Sequence, residues 1–175
     1  STGVGFLVMI PFLGLHAVEI TGSKESLVGL LVTFQMIGGL CGNVTAGMLG
    51  DRVGAKVPLF LSKVSFLLMA VGVLWNESVY GFYAIYFLFG FGFFANHVSA
   101  STLMTELAPK ERRPAFMAVT AFITVPSLLI STGLGALIHE STGSIIPAVW
   151  ATLGFLGLSL YFLSRIPEPR QRKAR

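Results

Sequence analysis

Long apolar stretches, separated by short polar segments, dominate the chain. Residues 1–18, 26–50, 78–105, 114–139 and 141–164 contain no Asp, Glu, Lys or Arg, and residues 57–76 contain only Lys63. A helix needs roughly 20 mostly apolar residues to cross a bilayer. These stretches also lack the period-two alternation of barrel strands. The pattern therefore predicts an all-α integral membrane protein with six spanning helices, at about 3–20, 26–49, 57–75, 79–104, 114–138 and 144–165.

Basic residues alternate between successive connections of these six helices. From the first connection to the tail, the segments carry one, three, none, three, none and five Lys or Arg when Lys63 is counted with the second connection. Cytoplasmic loops hold the excess of basic residues in membrane proteins. We therefore expect loops 50–57 and 105–113 and the basic tail 166–175 to be cytoplasmic, with both chain ends on that side of a plasma or inner membrane.

The composition excludes several classes of protein. Of 175 residues, 54% are hydrophobic and 11% are charged, whereas a soluble domain carries about 25% charged residues. This excludes a soluble enzyme, a nucleic-acid-binding module and a disordered chain. The net charge of +4 sits in the loops and the tail, so we expect no nucleic-acid partner. Residues 1–175 form one transmembrane domain in this interpretation. The chain opens inside an apolar run and without Met, so we expect the natural start to lie upstream.

The connection between the second and third predicted helices carries the densest motif. Its spacing is G-x-L-x-D-R-x-G-x-K-x-x-L, formed by Gly47, Leu49, Asp51, Arg52, Gly54, Lys56 and Leu59. This resembles the loop signature of the major facilitator superfamily, with Ala55 at a position that is usually basic in that family. The segment 106–113, which includes Arg112 and Arg113, is similar to the loop between the fourth and fifth helices of a family half.

The resemblance implies a six-helix bundle that is half of a twelve-helix transporter, and the polar tail favours the C-terminal half. It implies secondary active transport of a small-molecule substrate by alternating access, with a second six-helix half or a second copy as partner. In that family, the aspartate of the signature and a basic residue form a charge relay with an acidic residue ending the fourth helix. The relay then falls on Asp51, on Arg52 or Lys56, and on Glu106.

Few polar side chains lie within the predicted spans. In the family, the first and fourth helices of each half line the central cavity, so the resemblance makes His16, Asn96 and His97 candidate substrate contacts. Gln35, Tyr86 and Phe93 are possible cavity walls. Alternatively, Asn96 makes an interhelical hydrogen bond and the histidines face lipid or the interface. We expect Lys63 to extend to the cytoplasmic surface, and Cys41 to be a small buried residue.

Small residues recur at helical spacing on the second and fifth predicted helices. Such rows allow the close backbone approach that drives helix association in lipid. They either meet the opposite half, as the resemblance implies, or pack within the bundle. The rows are Gly38, Gly42, Ala46 and Gly50; Gly39, Asn43 and Gly47; and Ser127, Ser131 and Gly135.

Two other function classes compete with transport. A non-transporting structural or receptor-like member of the same fold has the same sequence pattern. A membrane enzyme needs convergent catalytic groups, but the three histidines are scattered and no acidic residue lies in the middle of a span. The chain contains neither a phosphate-binding G-x-x-x-x-G-K-[ST] loop nor the zinc motif H-E-x-x-H. We therefore expect no catalytic site, no metal and no cofactor.

Overall fold

The computed structural model describes residues 13–14, 17–19, 26–108, 112–144 and 146–165. Five helices span most of this part: α1 (Ser26–Val53), α2 (Lys56–Trp75), α3 (Val79–Leu107), α4 (Arg113–Thr142) and α5 (Ile146–Arg165). Residues 13–14 and 17–19 are also helical, and the described residues contain no strand. Each of the five helices is long and apolar enough to cross a membrane. The predicted all-α membrane fold class is confirmed.

The helices extend beyond the apolar runs that predict them. α1, α3 and α4 contain 28, 29 and 30 residues, and the last turns of α1 and α3 include Asp51, Arg52 and Glu106. The apolar pattern marks only the part of a helix that sits in hydrocarbon. Outside it, charged side chains reach water without interrupting the backbone hydrogen bonds, so the helix continues. The tail after residue 165 lies outside the described residues.

Tight connections reverse the chain between neighbouring helices. Gly54 joins α1 to α2 with a positive φ of 95°, and Gly143 follows α4 with a φ of 63°. Glycine adopts this left-handed region without steric cost. The Gly54 N–H donates to the Gly50 carbonyl at 3.2 Å, which closes α1. The short connections place residues 54–55, the end of α3 at residue 108 and the start of α4 at residues 112–113 at one end of the bundle, called here the signature end. Residues 76–78 and 143–144 lie at the opposite end.

Two apolar clusters stabilise the bundle. The larger one lies toward the opposite end, where α1, α2, α3 and α5 meet residues 13 and 17, and it centres on Phe66, Met69, Phe82 and Leu156. The smaller one lies at the signature end and contains Ala55, Leu59, Leu103 and Leu163. Leu13 and Ala17 of the first predicted span thus pack into the main core.

Glycines on α1 and α3 allow these two helices to cross at backbone contact. A Cβ atom placed on Gly38 or Gly42 would collide with the backbone carbonyls of Phe87 and Phe91. A Cβ on Gly90 of α3 would likewise collide with the Gln35 carbonyl of α1. α1 and α3 form the most extensive helix pair of the bundle. Gly38 and Gly42 of the predicted row therefore pack within the bundle, whereas Gly47 and Gly50 face open space.

α4 lies at the margin of the bundle and makes only slight contact with α3 and α5. Its exposed side chains are largely apolar, with Phe122 80% and Leu129 70% exposed. In the predicted row on this helix, Ser131 and Gly135 are buried. α1 also exposes an apolar face that includes Leu40 and Val44. Cys41 lies on the exposed surface of α1, so the expectation that it is buried is wrong. The helix turns this position away from α3.

Candidate solute cavity

A cavity of about 520 Å³ lies between α2, α3, α4 and α5, toward the signature end. This is within the roughly 300–1,000 Å³ range of small-molecule pockets. Leu59, Leu103 and Leu163 of the smaller apolar cluster contribute to its lining, and seven of the thirteen lining residues have polar side chains. The lining residues are Leu59, Lys63, Asn96, His97, Ala100, Ser101, Leu103, Met104, Thr120, Thr124, Ser159, Phe162 and Leu163.

Lys63 is the charged member of this lining. Its side chain is only 3% exposed, and its Nζ donates a hydrogen bond to the Asn96 Oδ1. The expectation that Lys63 extends to the cytoplasmic surface is therefore wrong. Lys63 sits on the face of α2 that packs toward α3, so its stem crosses the interior rather than running along lipid. An ionisable group held inside a membrane bundle is costly and usually functional.

The hydroxyl groups of the walls donate to their own helices. Ser101 Oγ donates to the His97 carbonyl at 2.8 Å. Thr120 Oγ1 donates to the Phe116 carbonyl at 2.8 Å, and Thr124 Oγ1 donates to the Thr120 carbonyl at 2.7 Å. Each hydroxyl has one proton and two acceptor lone pairs. With the protons committed, these three oxygens offer acceptors to a solute.

The structure brings two of the predicted substrate contacts together and places the others elsewhere. Asn96 and His97 both line the cavity. Tyr86 is 7% exposed and belongs to the main core. The ring of Phe93 packs against those of Phe89 and Phe94. Gln35 lies at the crossing of α1 and α3, and His16 lies outside the described residues.

Several lining residues are not evident from the sequence pattern. The pattern predicts Lys63 at the surface, and it does not distinguish the wall hydroxyls of Ser101, Thr120, Thr124 and Ser159 from other small polar residues of the spans. Thr120 and Thr124 stand four residues apart, so they share one face of α4. A polar pair at this spacing in an uncharged span is a usable signal. The partner helix of that face cannot be read from spacing alone.

The residues of the loop signature frame the signature end of the bundle. Asp51 and Arg52 are exposed in the last turn of α1, and Lys56 begins α2 half-buried. Glu106 is half-buried in the last turn of α3, and its Oε2 is shielded from solvent. Arg112 and Arg113 are exposed where α4 begins, and Arg113 borders a small crevice against Thr105 and Ala108.

Ala55 departs from the signature for a visible reason. It is fully buried in the smaller apolar cluster, against Leu59, Leu103 and Leu163. A long basic side chain at this position would have to displace that cluster or leave its charge unsatisfied. Position 55 therefore supplies no charge at the signature end.

Comparisons with known proteins agree with this architecture. The family model described as Major Facilitator Superfamily matches residues 1–175. Myo-inositol transporter 3 of Cryptococcus neoformans var. grubii is 28% identical over 168 residues, which cover 92% of this chain and 27% of that protein. The chain thus spans about a quarter of the length of this curated relative. No solved structure gives a significant match.

Proposed function

Because the chain belongs to the major facilitator superfamily, a family of membrane transporters, we propose that it forms part of a secondary transporter that moves a small solute by alternating access. The observation that carries this proposal is the polar cavity inside an otherwise apolar bundle. It gathers Lys63, Asn96, His97 and four hydroxyl groups from four helices. Polar groups within a membrane-spanning bundle usually face a solute path or a partner.

We propose that a second six-helix unit completes the path, either in the same polypeptide or as a second copy of this chain. Transporters of this fold hold the solute at the interface of two halves. The exposed apolar faces of α1 and α4 are the surfaces this unit would cover, together with lipid. Since the curated relative is about four times as long as the matched segment, we favour a unit in the same polypeptide.

The signature end is the proposed gate. Asp51, one basic residue of Arg52 and Lys56, and Glu106 would exchange partners between the two access states. Gly47 leaves open space beside α1, into which a neighbouring helix end can move. Arg112 and Arg113 offer further positive charge at the start of α4. In this proposal, the polar groups of the signature end set the free-energy difference between the two access states and do not stabilise the apolar core.

Orientation can be tested by labelling from outside the cell. We expect the signature end to be cytoplasmic, because basic residues concentrate in its connections. In a Cys41→Ser background, a cysteine at position 77 should react with a membrane-impermeant maleimide on intact cells. A cysteine at position 110 should react only after the membrane is permeabilised. Efficient labelling at 110 combined with protection at 77 would reverse the orientation.

The solute path is tested by uptake of labelled solutes into proteoliposomes containing the full-length protein. We expect Asn96→Ala or His97→Ala to raise the KM about ten-fold, because each removes a polar side chain that lines the cavity and, with it, a hydrogen bond to the solute. The first solute to test is myo-inositol, given the name of the curated relative. Ser141→Ala is the control, since Ser141 is exposed near the opposite end.

If both cavity variants transport every solute with unchanged KM and rate, Asn96 and His97 are packing residues and the path lies elsewhere. If the wild-type protein moves none of a panel of polyols, sugars and organic acids, the non-transporting alternative replaces the proposed function. Protein abundance in the vesicles, measured for each variant, separates loss of transport from loss of protein.

A further inference from the structure

The cavity combines donor groups from α2 and α3 with hydroxyl oxygens from α3 and α4 that are free to accept. We propose that the cavity binds a small carboxylate that also carries hydroxyl groups, with Lys63 as its counter-charge. This inference rests on the proposed transport function and names the substrate class. It follows from the state of Lys63, from the orientation of Asn96 and from the committed protons of the wall hydroxyls.

Lys63 has unused capacity to bind an anion. An ammonium group has three donors and no acceptor, and the Asn96 Oδ1 takes one of the three. Within the described part of the chain, no carboxylate pairs with Lys63. The acidic residues of that part lie at helix ends or connections, at Glu19, Asp51, Glu77, Glu106 and Glu140. A buried charge needs an opposite charge to offset its desolvation, and a carboxylate in the cavity would supply it.

Asn96 adds donors beside the ammonium group. Because an ammonium group cannot accept a hydrogen bond, the amide oxygen of Asn96 faces Nζ, and its amide nitrogen points away from it. Asn96 lines the cavity, so this NH₂ group is placed to serve the same ligand. Two ammonium donors and an amide donor suit the several lone pairs of a carboxylate better than the single oxygen of a neutral hydroxyl.

The wall hydroxyl oxygens of α3 and α4 favour a ligand with hydroxyl groups. The oxygens of Ser101, Thr120 and Thr124 have their protons in intrahelical bonds of 2.7–2.8 Å. They therefore attract donors and offer nothing to a second carboxylate. A hydroxylated monocarboxylate satisfies both the donors and the acceptors, whereas a neutral polyol leaves the ammonium charge uncompensated and a simple fatty acid leaves the acceptors unused. The volume of about 520 Å³ accommodates a six-carbon chain.

Binding to the purified full-length protein in nanodiscs tests this proposal independently of transport. Gluconate and sorbitol share a six-carbon hydroxylated chain and differ by the carboxylate, while acetate has the carboxylate alone. By isothermal titration calorimetry, we expect the wild-type protein to bind gluconate at least about ten-fold more tightly than either sorbitol or acetate, a difference of one charge-assisted contact. Lys63→Met should reduce the gluconate-to-sorbitol ratio to about two-fold or less, whereas Lys63→Arg should retain most of it.

Two further variants locate the effect. Thr124→Val keeps the side-chain shape and removes an acceptor, so it should weaken gluconate binding about five-fold while leaving acetate binding unchanged. Arg165→Gln removes a positive charge outside the cavity, where Arg165 Nη2 donates to the Tyr161 hydroxyl at 3.1 Å, and should leave all three affinities unchanged. Because the wild-type comparison and Thr124→Val need no change at Lys63, the test survives misfolding of Lys63→Met.

Several results would overturn the proposal. One is that the wild-type protein binds gluconate and sorbitol equally, and another is that it does not bind gluconate. A third is that Lys63→Met still prefers gluconate to sorbitol. The last result would make the bond between Lys63 and Asn96 a purely structural link between α2 and α3. Transport of myo-inositol without gluconate binding would sink this inference and keep the proposed function. Gluconate binding without flux of any solute would support this inference and contradict the proposed transport function.

Discussion

Gly90→Leu is expected to prevent assembly of the bundle, because α1 and α3 cross where neither helix can give way. A Cβ atom at Gly90 would already overlap the Gln35 carbonyl of α1, and Gly38 and Gly42 face the α3 backbone in the same manner. Backbone atoms cannot rotate aside as a side chain does. Overpacking costs about 1–3 kcal/mol and occasionally more. We expect the cost at Gly90 to lie at the upper end of this range, because the added atoms meet backbone. The largest helix pair of the bundle depends on it.

The measurement is the monodisperse yield of a fluorescent fusion on size-exclusion chromatography after mild detergent extraction. Gly90→Leu and Gly42→Leu should lower that yield at least about ten-fold, and Gly90→Ala should lower it less. Gly133→Leu is the matched control, because a Cβ at Gly133 of α4 meets nothing within 4 Å. Equal yields of Gly90→Leu and Gly133→Leu would show that α1 and α3 do not cross at these glycines.

The sequence predicts the helices of this bundle well because apolar length is a strong physical requirement in lipid. It predicts their ends less well. Asp51, Arg52 and Glu106 lie in helical turns, since charge ends the membrane-embedded portion and not the helix. The spacing of Gly38 and Gly42 predicts a close contact correctly, but periodicity along one helix does not name its partner, and the structure identifies α3.

The cavity was only partly predictable for a related reason. Asn96 and His97 stand out as polar residues in an uncharged span, and both line the cavity. Lys63 was expected at the surface because it lies only seven residues after Lys56, about 10 Å along the helix. That distance allows a side chain to reach the interface, but only tertiary packing decides which face of α2 is covered. Here the covered face carries Lys63 toward Asn96.

Asp51→Asn is expected to slow solute exchange about five-fold without lowering the amount of folded protein. Asp51 is exposed in the last turn of α1, where the helix macrodipole disfavours a negative charge. The macrodipole therefore gives its charge no stabilising role in α1, and we expect the fold to tolerate its loss. In one access state it would face the positive end of a neighbouring helix, an interaction of about 0.3–1 kcal/mol. That energy is enough to change the balance of two states that differ little in free energy.

The rate is measured as exchange of labelled for unlabelled solute across proteoliposomes at matched protein content. Glu140→Gln is the matched control, because Glu140 is also an exposed acid in the last turn of its helix, but at the end of α4. It should exchange solute at the wild-type rate. A normal rate in Asp51→Asn, or an equal loss in Glu140→Gln, would show that Asp51 does not belong to the proposed gate.

Alternating access itself is tested most directly by counterflow with the unmodified full-length protein. Proteoliposomes are loaded with unlabelled solute, first myo-inositol and then gluconate, and diluted into a trace of the same solute carrying a radioactive label. A carrier that opens to one side at a time exchanges one molecule for another. Labelled solute should therefore rise transiently above its equilibrium level inside the vesicles and then decline. Labelled solute that rises only to equilibrium, at a rate independent of the unlabelled load, would contradict alternating access.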